Sequence, residues 1–467
     1  MKTKKIIALM LSLAMVLGVA ACNSQPAETA AAPADTAAAP AETEVAPAET
    51  EAPAETEAPD ASVDASAYTE LAIADVADED DEVVVYGFNE EVKNLTETYS
   101  DIAVRYEQQS SDTIQQVLDN VLASGEDAPD MFACDADYAR KYLQSDNTLP
   151  INDLGIAYSE LSEMYNYTLQ FATDDENIIK GLAWQACPCG VFYNRSVAEA
   201  TLGVSEPEDV APYFESWDAF LETARTVAES GEYVAVSATG DIMRAILGSR
   251  TQAWIVDGEV TIDPVMEQYF DLAKTLHDEG LTHETSQWQD AWTADMSNGT
   301  VLSYWGPMWL AKFSMALDPS VNDVPNPTSG DWGIVAAPGD SYWGGTWMMA
   351  SKTCDMKADA GQIIYDLCID NANLKDMATS KGEYVNSVSI MKAIAEDSSF
   401  GLEWLGGQNP FTVLFDVAQG IDYSTIGVND GKINDAFSSA VGSYCSGDYE
   451  TIADAEAAFK AEAKDLL

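Results

Sequence analysis

Residues 331–350 read DWGIVAAPGDSYWGGTWMMA, a stretch in which Trp343 and Trp347 bracket the pair Gly344-Gly345. An indole has two broad apolar faces and one polar N–H, which suits gripping a ligand with apolar faces and polar edges. Core strands favour β-branched residues instead. Paired glycines in an apolar run mark a bend, or a place where another group comes close to the backbone. The same residues also suit a Trp-rich core strand with a glycine bulge, so the stretch by itself leaves both readings open. Covalent or metal chemistry has little to work with. The chain carries no nucleophile elbow, phosphate loop or metal-ligand spacing, and Cys187-Pro188-Cys189 is not a CxxC pair. His277 and His283 are read as surface residues. No metal, cofactor or catalytic residue is expected.

The elements around this stretch follow from hydrophobic period. Residues 82–88 (EVVVYGF) form a continuous apolar strand of the buried type. A helix is expected over about 92–108 and another over 112–123, whose Ile114, Val117, Leu118, Val121 and Leu122 share one face. A short strand at 129–134 leads to Asp135-Ala136-Asp137 and a further helix. Strand–helix alternation implies a parallel sheet covered on both faces, and ligands then gather at the carboxyl ends of the strands. That rule selects Asn89, Glu90, Asp135 and Asp137. Asp135 equally suits a helix N-cap, and Glu90 a first-turn acid complementing the helix dipole. Strands are expected at 182–186 and 191–193, a hairpin with an Asp257-Gly258 turn at 254–262, and a strand at 299–304. Helices are expected near 217–230, capped by Ser216, then at 241–247, 264–279 and 288–296, and over most of the chain after 359.

The N-terminus sets the compartment. Lys2, Lys4 and Lys5 precede the apolar run 6–19, which is short for a membrane span. Val19-Ala20-Ala21-Cys22 closes a secretory signal over 1–21. Residues 23–82 are built mostly from Ala, Pro, Glu, Thr and Asp, with APAETE repeats, no Lys or Arg and almost no large apolar residue before Tyr68. Such a segment buries too little surface to offset chain entropy, so a disordered tether is expected, reaching roughly 40 Å or more. The formal charge is −57, and about −43 remains after the signal lysines and the 17 tether acids are set aside. A field of that sign disfavours nucleic acid and anionic lipid as partners and is compatible with neutral solutes. Six cysteines remain beyond Cys22, enough for up to three disulfides outside the cell, with no pairing assignable.

Taken in order, the VAAC signal, the acidic tether, YGFNEE, GLAWQACPCGVFYNR, VLSYWGPMWL and the 331–350 stretch resemble the extracellular solute-binding proteins of sugar ABC transporters, the class that includes maltose-binding protein. The resemblance covers about 83–467. It implies an α/β, two-lobe, periplasmic-binding-protein-like fold, each lobe a sheet flanked by helices, joined by a multi-crossing hinge. By motif order, lobe one would be 83–190 plus 350–398, lobe two 191–342 plus 399–467, and 343–349 one hinge crossing. The others would fall near 188–193 and 398–405. Cys22 would be lipidated, holding a monomer on the outer face of the bacterial membrane.

The resemblance further implies a function without catalysis. A sugar or oligosaccharide would be enclosed between the lobes and passed to permease subunits. Trp305 or Trp309, Trp343, Trp347 and Trp184 would offer ring faces, with Trp184 equally suited to the core. Asn89, Glu90, Asp135, Asp137, Gln185 and Asn409 would bond hydroxyls. Trp254, Trp288, Trp332 and Trp404 are assigned to packing. The alternatives are a peptide, polyamine or metal ligand on the same fold, or a glycoside hydrolase using two carboxylates.

Overall fold

A computed structural model describes residues 65–79, 82–111, 113–324 and 326–467. The signal segment, Cys22 and the tether up to residue 64 lie outside the described residues. Ten strands follow in chain order: β1 Val83–Gly87, β2 Val104–Gln108, β3 Met131–Asp135, β4 Leu182–Ala183, β5 Gly190–Asn194, β6 Ile255–Val256, β7 Glu259–Val260, β8 Ser303–Gly306, β9 Trp332–Val335 and β10 Thr346–Ala350. They pair as a five-stranded sheet, β2-β1-β3-β10-β4, a three-stranded sheet, β8-β5-β9, and the hairpin β6-β7.

In the first sheet β1 runs parallel to β2 and β3, while β10 runs antiparallel to both β3 and β4. Val104–Gln108, expected to continue a helix, is instead its edge strand. The helix stops at Tyr99 and the chain pairs β2 with β1 over five residues. Thr346–Met349, expected within a hinge crossing, lies inside this sheet, pairing with β3 on one side and β4 on the other. Nothing after Gly345 breaks the apolar run, so its backbone groups find partners in the ladder.

The second sheet is wholly antiparallel, and side-chain alternation gives it two buried faces. Val191, Tyr193, Trp305 and Val335 enter a core shared with the helices 217–228, 264–278 and 430–445. Phe192, Tyr304, Trp332 and Ile334 point the other way, into the core that is continuous with the first sheet. The chain passes from the first sheet to the second at 184–189 and returns at 336–345. An antiparallel bridge between Pro188 and Tyr342 ties the two passages together.

The six cysteines Cys134, Cys187, Cys189, Cys354, Cys368 and Cys445 are free and buried; each thiol is pushed upward, first by burial. The expected tether also ends earlier than its composition suggests. Residues 65–79 lie along the first sheet's lobe. The Tyr68 hydroxyl donates to Asn166 at 2.8 Å, Thr69 N to Asn177 O at 2.9 Å and Ala74 N to Asn152 O at 3.0 Å. Asp78 accepts from Ala358 N at 2.9 Å and Asp359 N at 3.2 Å, capping the helix Lys357–Cys368 from a distant part of the chain. An N-cap contributes about 1 kcal/mol. Asp78→Ala should therefore lower the urea-unfolding stability by about that amount, whereas Asp78→Asn, which keeps the acceptor oxygen, should lose less than half of it.

Candidate functional site

Strand direction assembles the site. β4 is antiparallel to β10, which is antiparallel to β3, so β1, β3 and β4 point the same way. Their carboxyl ends deliver Asn89–Glu91, Asp135–Asp137 and Gln185–Cys187 to one edge of the sheet. β10 starts from that same edge, bringing Trp343, Gly344 and Gly345 with it; Ala136 N donates to Gly345 O at 3.1 Å. Here the glycine pair has its reason. Gly344 and Gly345 have φ of +70° and +100°, the left-handed region that glycine enters freely. A Cβ on Gly344 would stand 3.1 Å from Trp309 Nε1. The group approaching the backbone is that indole, which donates to Trp343 O at 2.9 Å.

Trp309 comes from the other sheet, just beyond β8, and carries an aromatic wall with it. Its ring centroid lies 4.9 Å from Trp343, edge to face. Trp288 stacks on Trp309 at 6.3 Å with 18° between planes, and meets Trp343 edge-on at 5.6 Å. Trp288 was assigned to packing, yet it is 57% exposed. It also holds φ of +69°, a conformation a bulky residue adopts only when its surroundings impose it. Carboxylates at a strand end of the first lobe are linked to this wall through Arg244, whose guanidinium lies 5.2 Å over the Trp343 ring. Asp135 N-caps the helix Ala136–Leu143, accepting from Asp137 N at 2.9 Å. Burial, then the charge of Asp137, push its carboxyl up to about 7. Asp137 forms a two-pronged ion pair with Arg244 at 3.0 and 3.1 Å.

The floor is a buried polar network. A π-helical turn, Leu310–Ser314, turns Lys312 inward onto Glu383, and both side chains are sealed, at 2% and 3% exposure. Gln185 Nε2 donates to Glu383 at 3.3 Å. Removing either member of such a pair strands a buried charge and costs about 3–5 kcal/mol. Glu91 stands beside it at the start of the helix Glu91–Tyr99. Burial, then the neighbouring Glu383, raise its carboxyl to about 8, while Lys312 and Lys381 pull it down.

Among the other expected site residues, Trp305, Trp347 and Trp184 are buried in packing and Asn409 serves its own loop, while Asn89 and Glu90 stay at the rim. Trp305 is 2% exposed among Phe214, Trp217 and Phe220 in the second lobe's core, its N–H satisfied by Ser303. Trp347, 1% exposed, packs on Phe171 at 4.3 Å, and Trp184 is fully buried. Asn409 holds its own loop, donating to Ile394 O at 2.7 Å and accepting from Phe411 N at 3.1 Å. Asn89 caps Glu91 N at 3.0 Å and Glu90 is exposed at the same rim. His277 and His283 pair separately with Glu284 and Asp295. From sequence, Trp288 is assigned to packing, and Arg244, Lys312 and Glu383 are not reached. A lysine inside the apolar run Trp309-Leu310-Ala311-Lys312-Phe313 was a usable signal, because a buried charge needs a partner; Trp288 left none.

The raised Glu91 makes a stability prediction. A carboxyl that holds its proton more tightly in the folded state contributes stability below its ordinary value of 4.5, and that contribution fades as pH climbs toward about 8. Glu91→Gln should flatten the fall in melting temperature across that window and make the variant the more stable protein at its alkaline end. Melting curves over the window check this, with the falls due to Asp135 and Asp241 remaining.

Residues 79–364 match the family model described as bacterial extracellular solute-binding protein. No curated protein matches the chain in sequence. Among solved structures, an extracellular solute-binding protein of family 1 aligns with TM-score 0.68 at 18% identity, over 82% of this chain and 99% of that one. An ABC-transporter-associated binding protein from B. animalis subsp. lactis, in complex with β-1,6-galactobiose, gives 0.63 at 20% identity, over 82% and 96%. The galacto-N-biose/lacto-N-biose I-binding protein of Bifidobacterium longum, in complex with lacto-N-biose, gives 0.62 at 16%, over 83% and 99%. At these identities the likeness is one of fold: two α/β lobes, each a sheet flanked by helices.

Proposed function

Because this chain belongs to the family of bacterial extracellular solute-binding proteins, we propose that its solute is a neutral sugar or oligosaccharide, enclosed between the lobes and handed to the permease subunits of an ABC importer. The observation that carries this reading is the wall of Trp288, Trp309 and Trp343, with Trp288 more than half exposed. A pyranose presents C–H faces that stack on indoles and hydroxyls that need acceptors. Asn89, Glu90 and Asp135, at the strand ends of the first lobe, would offer polar partners to those hydroxyls. The two solved relatives with bound disaccharides, β-1,6-galactobiose and lacto-N-biose, support the same ligand class. No covalent step is involved. The lobes turn about the passages 184–189 and 336–345, and closed-state contacts set the affinity.

In this reading a lipid on Cys22 holds the protein at the outer face of the membrane. The segment 65–79 then fastens the tether to the lobe built on the first sheet, away from the cleft. Cys22→Ser should release the folded chain from the membrane fraction into the medium; retention of the variant on cells would remove the anchor from the account.

A thermal-shift panel of neutral disaccharides, peptides and polyamines tests the ligand class, since binding to the native state raises the melting temperature. Sugars should shift it and polyamines should not. Calorimetry then tests the wall: Trp288→Ala should weaken the best sugar by about tenfold or more while leaving the unliganded melting temperature nearly unchanged, as an exposed ring contributes little to the core. Unaltered affinity in the folded variant would take Trp288 out of the site.

A further inference from the structure

Asp137 and Arg244 belong to different lobes. Asp137 opens the helix after β3 of the first sheet; Arg244 sits on the helix Met243–Gly248, which packs in the second lobe's core. Their two-pronged pair, at 3.0 and 3.1 Å, crosses the cleft. The guanidinium also lies 5.2 Å over the Trp343 ring, so an indole face and a carboxylate hold it from two sides. A second contact lies beside it. Gly431, in the first turn of the helix Asp430–Cys445 of the other lobe, comes so near that a Cβ there would sit 2.3 Å from Asp137 O. Backbone and side chain of one residue thus meet two elements of the opposite lobe.

We infer that Asp137 and Arg244 form a latch that holds the lobes together through the chain's own groups and so contributes to closure whether or not a solute is bound. Both partners keep some solvent contact, with side-chain exposures of 42% and 24%, which keeps the pair releasable. A latch of this kind has two consequences. It raises the population of the binding-competent closed form and so tightens apparent affinity. It also slows entry, because the cleft must unlatch to admit a solute. Arg244 further covers one face of Trp343, leaving the Trp288 and Trp309 end of the wall as the part open to a solute. The inference concerns closure alone and stands whichever solute the cleft takes.

The test needs no solute, which separates its failure from any failure of the sugar reading. Spin labels go on the chain at Asn94→Cys and Gln268→Cys, exposed positions on opposite lobes, with Cys22→Ser in the same background; the six other native thiols are buried and spared. Interlobe distances are then measured by electron double resonance. The unsubstituted pair should give a dominant short distance. Asp137→Asn and Arg244→Gln should each lower the closed-to-open ratio by about fivefold, and the swap Asp137→Arg with Arg244→Asp should restore it. A merely structural role would not be rescued by reversing the charges. Distributions unchanged by the single substitutions, or a swap that restores nothing, overturn the latch. Should a variant fail to fold, the unsubstituted pair decides: the short-distance population should fall between low salt and about 1 M salt, and a salt-independent distribution overturns it.

Discussion

Trp309 reaches across from beyond β8 and donates its N–H to the carbonyl of Trp343, 2.9 Å away, against a backbone that glycine at 344 keeps clear, since a Cβ there would stand 3.1 Å from the indole nitrogen. That hydrogen bond joins the aromatic wall to the carboxyl edge of the first sheet. Trp288 stacks on Trp309, Arg244 lies on Trp343, and Asp137 pairs with Arg244. Any side chain at position 344 would meet the indole and also leave the left-handed backbone strained.

The polarity of the cleft divides by lobe. Carboxylates come from strand ends of the first lobe, where helix N-termini and backbone N–H groups help to hold them. Trp288 and Trp309 come from the second lobe, and Trp343 from the passage that leads back into β10 of the first sheet. The buried Lys312–Glu383 pair lies between, on a π-helical turn of the sort that often marks functional positions. Its desolvation is costly, but Gln185 and the nearby Glu91 give it partners and neighbours. This keeps a polar floor under an otherwise apolar wall.

Much of the scaffold was readable from period and punctuation. β1, β3, the Asp257-Gly258 hairpin and the Ser216-capped helix fall where residue types place them. Asn89, Glu90, Asp135 and Asp137 do lie at or just beyond the carboxyl ends of β1 and β3, where the strand-end rule puts them. What could not be read was which indoles are sealed. Trp305 and Trp309 are four residues apart and look alike in sequence. Strand alternation turns the first into the second lobe's core, and the following turn swings the second toward the cleft. Trp288 was harder still, because a left-handed loop residue has no period. Val104–Gln108 was misread because a short amphipathic edge strand after a helix carries too few residues to separate the two periods, and residues 65–79 because their composition hides the partners that fix them.

The central claim is that the solute rests on the exposed indole of Trp288, and tryptophan emission with acrylamide quenching reports on it directly. Titrating a neutral disaccharide identified by thermal shift should change emission saturably and reduce quencher access, and Trp288→Phe should remove most of both changes. Sugar binding seen by calorimetry with emission and quenching unaltered would contradict the account.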